Sequence, residues 1–443
     1  MKKKCKYFSL CVLMSFVTVE FLLSQTSYGW RGLTRNGVYS ESGLLESWPQ
    51  EGPKLLWETL EIGKGYSSPV ITGDRLYITG MNEDENMEIF MAYTLDGKKI
   101  YETAYSAPWN KTYPETRTTP TIAGDKAYVI SGSGEIVCIA VADGAIAWKV
   151  NGGELFERKT GTWGTSECPL VFDNKVIYTP SGDRTTMVAL NAETGETVWK
   201  SRALGDVGAY VSPLLITYKG KRQIVGSTGK NVIGVNPETG DIEWTFAEWE
   251  RPQDPPPTNP PKEGNAPRER SPGRDAPQGN IATNTPLYRD GRIFFCHGYN
   301  IGAYMLQLND DLTGVSLAWR NNDLDTHHGG YVLINDVIYG SNWINNTQGN
   351  WVAVDWNTGE TRYETDWGSG KSKGSIVAAN NMLYCYDERR GTVGLVRSNP
   401  EKFDVVSEFR ITKGSGPFWA HPVICNGVLY VRHGNALMAY NVK

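Results

Sequence analysis

Eight aromatic residues, Trp57, Tyr101, Trp148, Trp199, Trp244, Trp319, Tyr363 and Phe409, recur along this 443-residue chain at gaps of 44, 47, 51, 45, 75, 44 and 46 residues. The wide gap holds a Pro-rich run, residues 251–280, and removing those 30 residues leaves 45. A period near 45 made of short β-rich segments predicts blades of four strands each. The fold class that follows is all-β: an eight-bladed β-propeller.

The repeat has internal grammar. Most of the aromatics close a hairpin, as in residues 189–199 (ALNAETGETVW) and 353–363 (AVDWNTGETRY). Gly97, Gly144, Gly195, Gly240 and Gly359 stand where a tight turn needs positive φ. Each repeat also opens on a second signal, such as SSPVI at 67–71, CPLVF at 168–172 or HPVIC at 421–425. Two degenerate copies begin at Gly329 and Lys373, with Tyr331 and Ile376 in place of the Pro. A polar turn and an alternating strand follow, the period-2 pattern of half-buried sheet. The last repeat stops at Lys443 without its own aromatic-ended strand. The unpaired early strand with Trp57 fits that vacancy, so N- and C-terminal strands are expected to close one blade and remove its exposed edge.

Residues 1–29 have a basic start and an apolar stretch, the pattern of a cleaved signal peptide. Export to the periplasm or extracellular space is therefore expected, with no membrane span after cleavage. Residues 30–443 are expected to form one propeller with 251–280 as a loop insertion. The leader carries four Lys and one Glu, so the remainder has a net charge of −8 against −5 for the whole chain. Acidic balance argues against nucleic acid as a partner, and a monomer is expected. Cys138, Cys168, Cys296, Cys385 and Cys425 remain, mostly inside strand patterns, where cysteine acts as a small hydrophobe. No CxxC pair is present, and no metal site is expected.

A propeller binds ligands at the mouth of its central channel. Stepping back three residues from the Pro of each opening gives one ring of equal phase: Tyr66, Arg117, Ser166, Tyr210, Thr283, His328, Lys373 and Trp419. Glu167, Asn284, His327 and His421 flank it. A purely structural repeat would place small turn residues here; this phase instead collects cations, imidazoles and aromatics. His328, Lys373, His421 and Glu167 are the candidate catalytic residues, with the carboxyl and imidazoles as acid and base. Arg117, Tyr66, Tyr210, Trp163, Trp419 and His327 are the candidate ligand-binding residues. Arg117 and Lys373 suit an anion, and the indoles suit a sugar ring or a flat cofactor. Neighbours on an extended segment point opposite ways, so His327 and His328 are not read as ligands of one metal. His297 and His433 lie in other phases and are read as structural.

The AxDxxTGxxxW-like hairpins resemble the tryptophan-docking repeats of quinoprotein (PQQ-type) propellers. The segments WRGLTRNGVYSESGLLESWP, WGTSECPL, HHGGYVL, GKSKGS and FWAHPV are similar to secreted bacterial members of that kind. The resemblance implies three function classes. The first is a pocket that binds, and perhaps transforms, a small polar or carbohydrate ligand. The second is a non-catalytic assembly scaffold of the cell envelope. The third is a PQQ-dependent alcohol or sugar dehydrogenase. That last class implies a disulfide between adjacent cysteines against the quinone, and a calcium ion held by Glu, Asn and Asp. The chain has no adjacent cysteines. No cofactor is therefore expected, PQQ with calcium being the alternative.

Overall fold

The computed structural model describes residues 27–247, 281–299, 301–368 and 370–443. The signal-peptide reading falls outside the described residues except at its last three positions, and the insertion reading at 251–280 falls wholly outside them. Eight antiparallel four-stranded units follow one another: residues 70–106, 121–151, 170–200, 214–246, 287–321, 331–365, 374–410 and 423–441. They are blades 1 to 8. Blade 8 takes its fourth strand from Leu55–Thr59, which pairs antiparallel with Ala436–Asn441 and sets Trp57 opposite Ala439. The ring is thus closed by both ends of the chain, as the repeat count predicts. Among the described residues no helix is long and apolar enough to cross a membrane.

Strand alternation builds the core between blades rather than within them. Val70 packs towards blade 2, whereas Ile71 beside it packs towards blade 8. Leu170 and Val171 divide in the same way between blades 4 and 2. Each layer has an apolar cluster; that between blades 7 and 8 contains Val377, Tyr384, Leu395, Leu429 and Val431. Burying each such side chain contributes roughly 1.5–3 kcal/mol. All five described cysteines are free, and four are buried in or beside these layers.

The closing aromatics stitch each blade to the next. Nε1 of Trp57 donates to Leu95 O at 2.7 Å, Trp148 to Ala192 O at 2.9 Å, Trp199 to Pro237 O at 3.1 Å and Trp319 to Trp356 O at 3.1 Å. Each ring lies over the hairpin glycine of the following blade. A Cβ on Gly240 would stand 2.4 Å from Trp199, and φ there is +79°. The glycine is therefore required twice, for its backbone and for the space above it. Trp244 departs from the rule and donates to Gln223 Oε1 within its own blade at 2.8 Å.

Residues 27–39 form a strap through the centre of the ring. Ser27–Tyr28 pair antiparallel with the innermost strand of blade 2, and Val38–Tyr39 pair parallel with that of blade 7. Between them two arginines reach outwards. Arg35 donates to the carbonyls of Cys168 and Pro213 at 3.2 and 3.0 Å, and also to that of Pro169. Arg31 donates to the carbonyls of Tyr331 and Ile376 at 2.5 and 3.1 Å. Pro169, Pro213, Tyr331 and Ile376 hold the same position in four different repeats. The strap thus reads the carbonyl ring that equal phase creates. Both arginines are buried, at 5% and 6% exposure, and the carbonyls replace the water they lose.

Candidate functional site

The loops leading into the innermost strands, together with the strap, enclose a cavity of about 430 Å³ at one mouth of the channel. That volume lies in the range of about 300–1,000 Å³ usual for small-molecule sites. Tyr66, Arg117, Ser166, Tyr210, Thr283, His328 and Trp419, the equal-phase residues of blades 1 to 6 and 8, all line it. Trp163, His327 and His421 line it as well. Trp30 closes it on the channel side, its indole 4.6 Å from the His421 ring and its Nε1 donating to Thr285 Oγ1 at 3.1 Å.

The wall is largely aromatic. Trp419 meets Tyr66 at 5.0 Å, Tyr113 at 5.2 Å and His328 at 5.2 Å between ring centroids. Trp163 meets Tyr210 at 5.9 Å. Tyr299 meets His327 at 4.9 Å, and its hydroxyl lies 2.9 Å from Nε2 of that ring. Tyr113, Tyr299 and Trp30 carry no signal in the repeat phase, because they sit on loops and on the strap.

His421 does not fit the acid–base role expected of it. Arg31 Nη1 lies 2.8 Å from Nδ1, and Nε2 lies 2.9 Å from the His328 carbonyl. An arginine only donates and a carbonyl only accepts. Nδ1 is therefore the bare acceptor, Nε2 carries the proton, and the ring is neutral. Burial, and then the Arg31 charge, lower its pKa to about 3. Both nitrogens are committed, so His421 offers the cavity a ring face rather than a proton.

His327 and His328 differ from the extended-segment expectation too. Their ring centroids are only 4.4 Å apart; the chain turns at Gly330, where φ is +72°. Burial, with Lys373 beyond it, lowers His327 to about 3. Burial first, then the neighbouring His327, Lys373 and His421, hold His328 well below the imidazole range. Lys373 itself does not line the cavity. Its Nζ pairs directly with Glu388 Oε1 and donates to Asn346 O at 3.2 Å, with the lysine and glutamate side chains 3% and 6% exposed. Burial lowers the lysine pKa, and the adjoining carboxylate favours its charged form. The other carboxylate oxygen of Glu388 stands 3.4 Å from His328 Nε2. Glu388 lies at the end of a strand, outside the repeat phase, and so was not legible beforehand.

Glu167 is also corrected. It is 2% exposed and turned into blade 3, where its carboxyl accepts from Thr179 N and Oγ1 at 3.1 and 3.0 Å. Burial raises its pKa to about 8, against the pull of those bonds. It lies on the other side of the chain from Ser166, which lines the cavity, because neighbours on an extended segment point opposite ways. Asn284 is structural as well: Nδ2 donates to the carbonyls of Thr326 and His327, and Oδ1 accepts from Gly330 N. His433 packs flat on Phe418 at 3.8 Å, and His297 is fully buried. Arg117 remains on the wall as a cation. One of its nitrogens donates to the Thr112 and Tyr113 carbonyls, and burial lowers its pKa.

A quinone with calcium does not fit this residue set. Cys168 is the single cysteine on the cavity wall, and no two cysteines are adjacent. The lining has no Asp or Glu, whereas calcium needs several oxygen ligands, carboxylates above all. Among the described residues no three His, Cys, Asp or Glu side chains could hold a metal ion together.

The family model described as "Outer membrane protein assembly factor BamB" matches residues 34–151 and 96–362, well over half of the chain. Among solved structures, BamB from Moraxella catarrhalis is similar at 16% identity and a TM-score of 0.61, over 88% of this chain and 99% of that one. A quinohemoprotein alcohol dehydrogenase from Comamonas testosteroni is similar at 12% identity and a TM-score of 0.63, over 94% of this chain and 80% of that one. The computationally designed Ika8 protein is similar at 9% identity and a TM-score of 0.52, over 92% of this chain and 99% of that one. At these identities the likeness is one of fold. No sequence among the curated proteins matches the chain.

Proposed function

We propose that this chain, which belongs to the PQQ-type propeller family that the BamB model describes, is an exported propeller that binds a small polar or carbohydrate ligand at its channel mouth. One observation carries the reading. Residues from seven blades and the strap, remote in sequence, converge on one cavity walled by aromatic rings and one arginine. Packing alone does not require such a wall, since the inter-blade layers already hold the ring together. His328, with Glu388 at 3.4 Å from its Nε2, is held neutral by burial, so it serves the cavity as a hydrogen-bonding group toward a polar ligand.

A thermal-shift screen of soluble carbohydrates against the wild type and Trp419→Ala tests this reading. Ligand-induced stabilisation should be present in the first and absent in the second. Stabilisation that survives Trp419→Ala, or none in the wild type, counts against it. The assembly-scaffold reading is second, favoured by the family match itself. It predicts binding of an envelope protein that is indifferent to Trp419.

A further inference from the structure

We propose that the ligand is a sugar ring bearing a carboxylate, with Arg117 as its counter-charge; this rests on the channel-mouth reading above. Arg117 is the only Lys or Arg on the described cavity wall, and no Asp or Glu faces it there. The bonds the structure gives its guanidinium both leave from one nitrogen, Nη2, towards the carbonyls of Thr112 and Tyr113. Those bonds fix the plane of the group and leave Nη1 and Nε to donate. Glu88 and Glu115 act on this guanidinium only from a distance, and among the described residues no carboxylate pairs with it directly; a half-buried cation without a contact counter-ion is costly to keep. A carboxylate arriving with the ligand supplies that partner in the two-pronged geometry a guanidinium favours. His421 is neutral by its bonding, so it does not share this role.

The rest of the wall argues for a sugar rather than a flat aromatic acid. The faces of Trp419, Tyr66 and Tyr113 adjoin one another, and a sugar can lay its C–H face on such rings. Between the rings stand polar groups: the hydroxyls of Ser166, Ser212 and Thr283, and the Asn346 amide. The hydroxyls keep lone pairs free to accept. Asn346 Oδ1 accepts from Trp343 Nε1 at 3.2 Å, so its NH₂ is left to donate. Aromatic faces interleaved with acceptors and donors match a ring with apolar faces and hydroxyl edges. A planar acid would cover these groups without satisfying them.

The test uses the full chain and three probes: methyl β-D-glucuronide, methyl β-D-glucoside and benzoate. Trp30, Trp163 and Trp419 line the cavity, so indole fluorescence reads the titrations. The glucuronide should bind at least ten-fold tighter than either other probe. Arg117→Gln should abolish that preference, and Arg117→Lys should restore part of it, with unchanged melting temperatures in both. Equal binding of glucuronide and glucoside, lost in Trp419→Ala, overturns the anion and keeps the pocket. Tighter binding of benzoate overturns the sugar. Glucuronide binding that persists in Trp419→Ala overturns the pocket reading itself, and no response to any probe overturns the inference.

Discussion

Arg31 and His421, 390 residues apart in sequence, meet at 2.8 Å on the inner wall of the ring, where the guanidinium fixes which imidazole nitrogen is bare. The same guanidinium holds the carbonyls of Tyr331 and Ile376. One side chain therefore joins the strap to blades 6, 7 and 8 and sets the protonation of a cavity residue. Arg31→Ala should destabilise the protein by about 3 kcal/mol, because buried acceptors lose their donor. Chemical denaturation measures this. His421 should also titrate closer to an ordinary imidazole in that variant, which histidine NMR reads.

The lysine–glutamate pair behind His328 is predicted to be structural. Lys373→Met leaves the buried Glu388 carboxyl without its cationic partner, at a cost of roughly 3–5 kcal/mol. The double variant Lys373→Met, Glu388→Gln should recover a large part of that loss. Equal stability of the single and double variants in urea would show that the two side chains are not coupled.

Two sets of buried groups give opposite pH dependences. His297, His327 and His421 have folded pKa values lowered to about 3 by burial, and His328 is lowered as well. The unfolded chain binds protons that these rings refuse, so stability falls as pH drops from about 6.5. Burial raises Glu88 to about 7 and Glu167 to about 8. The folded state holds their protons longer, so that contribution is lost as pH rises through those values. Stability should climb from about pH 4 to about 6.5 and then decline gently towards about 8. His327→Gln should lower the acid-side slope by about one proton, roughly 1.4 kcal/mol per pH unit. Melting across the pH series checks both.

Glycine docking predicts a contrast between two substitutions with the same backbone requirement. Gly240 has φ +79° and would place a Cβ 2.4 Å from Trp199; Gly73 has φ +60° and open space around it. Gly240→Ala should cost about 2–4 kcal/mol, and Gly73→Ala about 1 kcal/mol, from backbone strain alone. Similar losses in the two variants would show that the indole contributes nothing.

The fold was legible because each repeat states the same hairpin and the same opening, and Trp57 was left over at one end. The phase of the openings also located the cavity wall, since a closed ring turns equal sequence position into equal height. It failed where chemistry depends on direction rather than height. Glu167 shares its place with Ser166 but points into the blade, and Lys373 turns to Glu388 behind the wall. The strap was illegible for another reason. Residues 27–39 lie outside the repeat, and nothing local in WRGLTR announces that two arginines will be solvated by carbonyls of distant blades.

The most direct measurement of the central claim is a crystal structure of the protein soaked with methyl β-D-glucuronide. Density for the sugar should fill the channel-mouth cavity, its ring against Trp419 and its carboxylate on Arg117, with Trp30 beneath it. An empty cavity with the sugar bound at another surface would contradict the account.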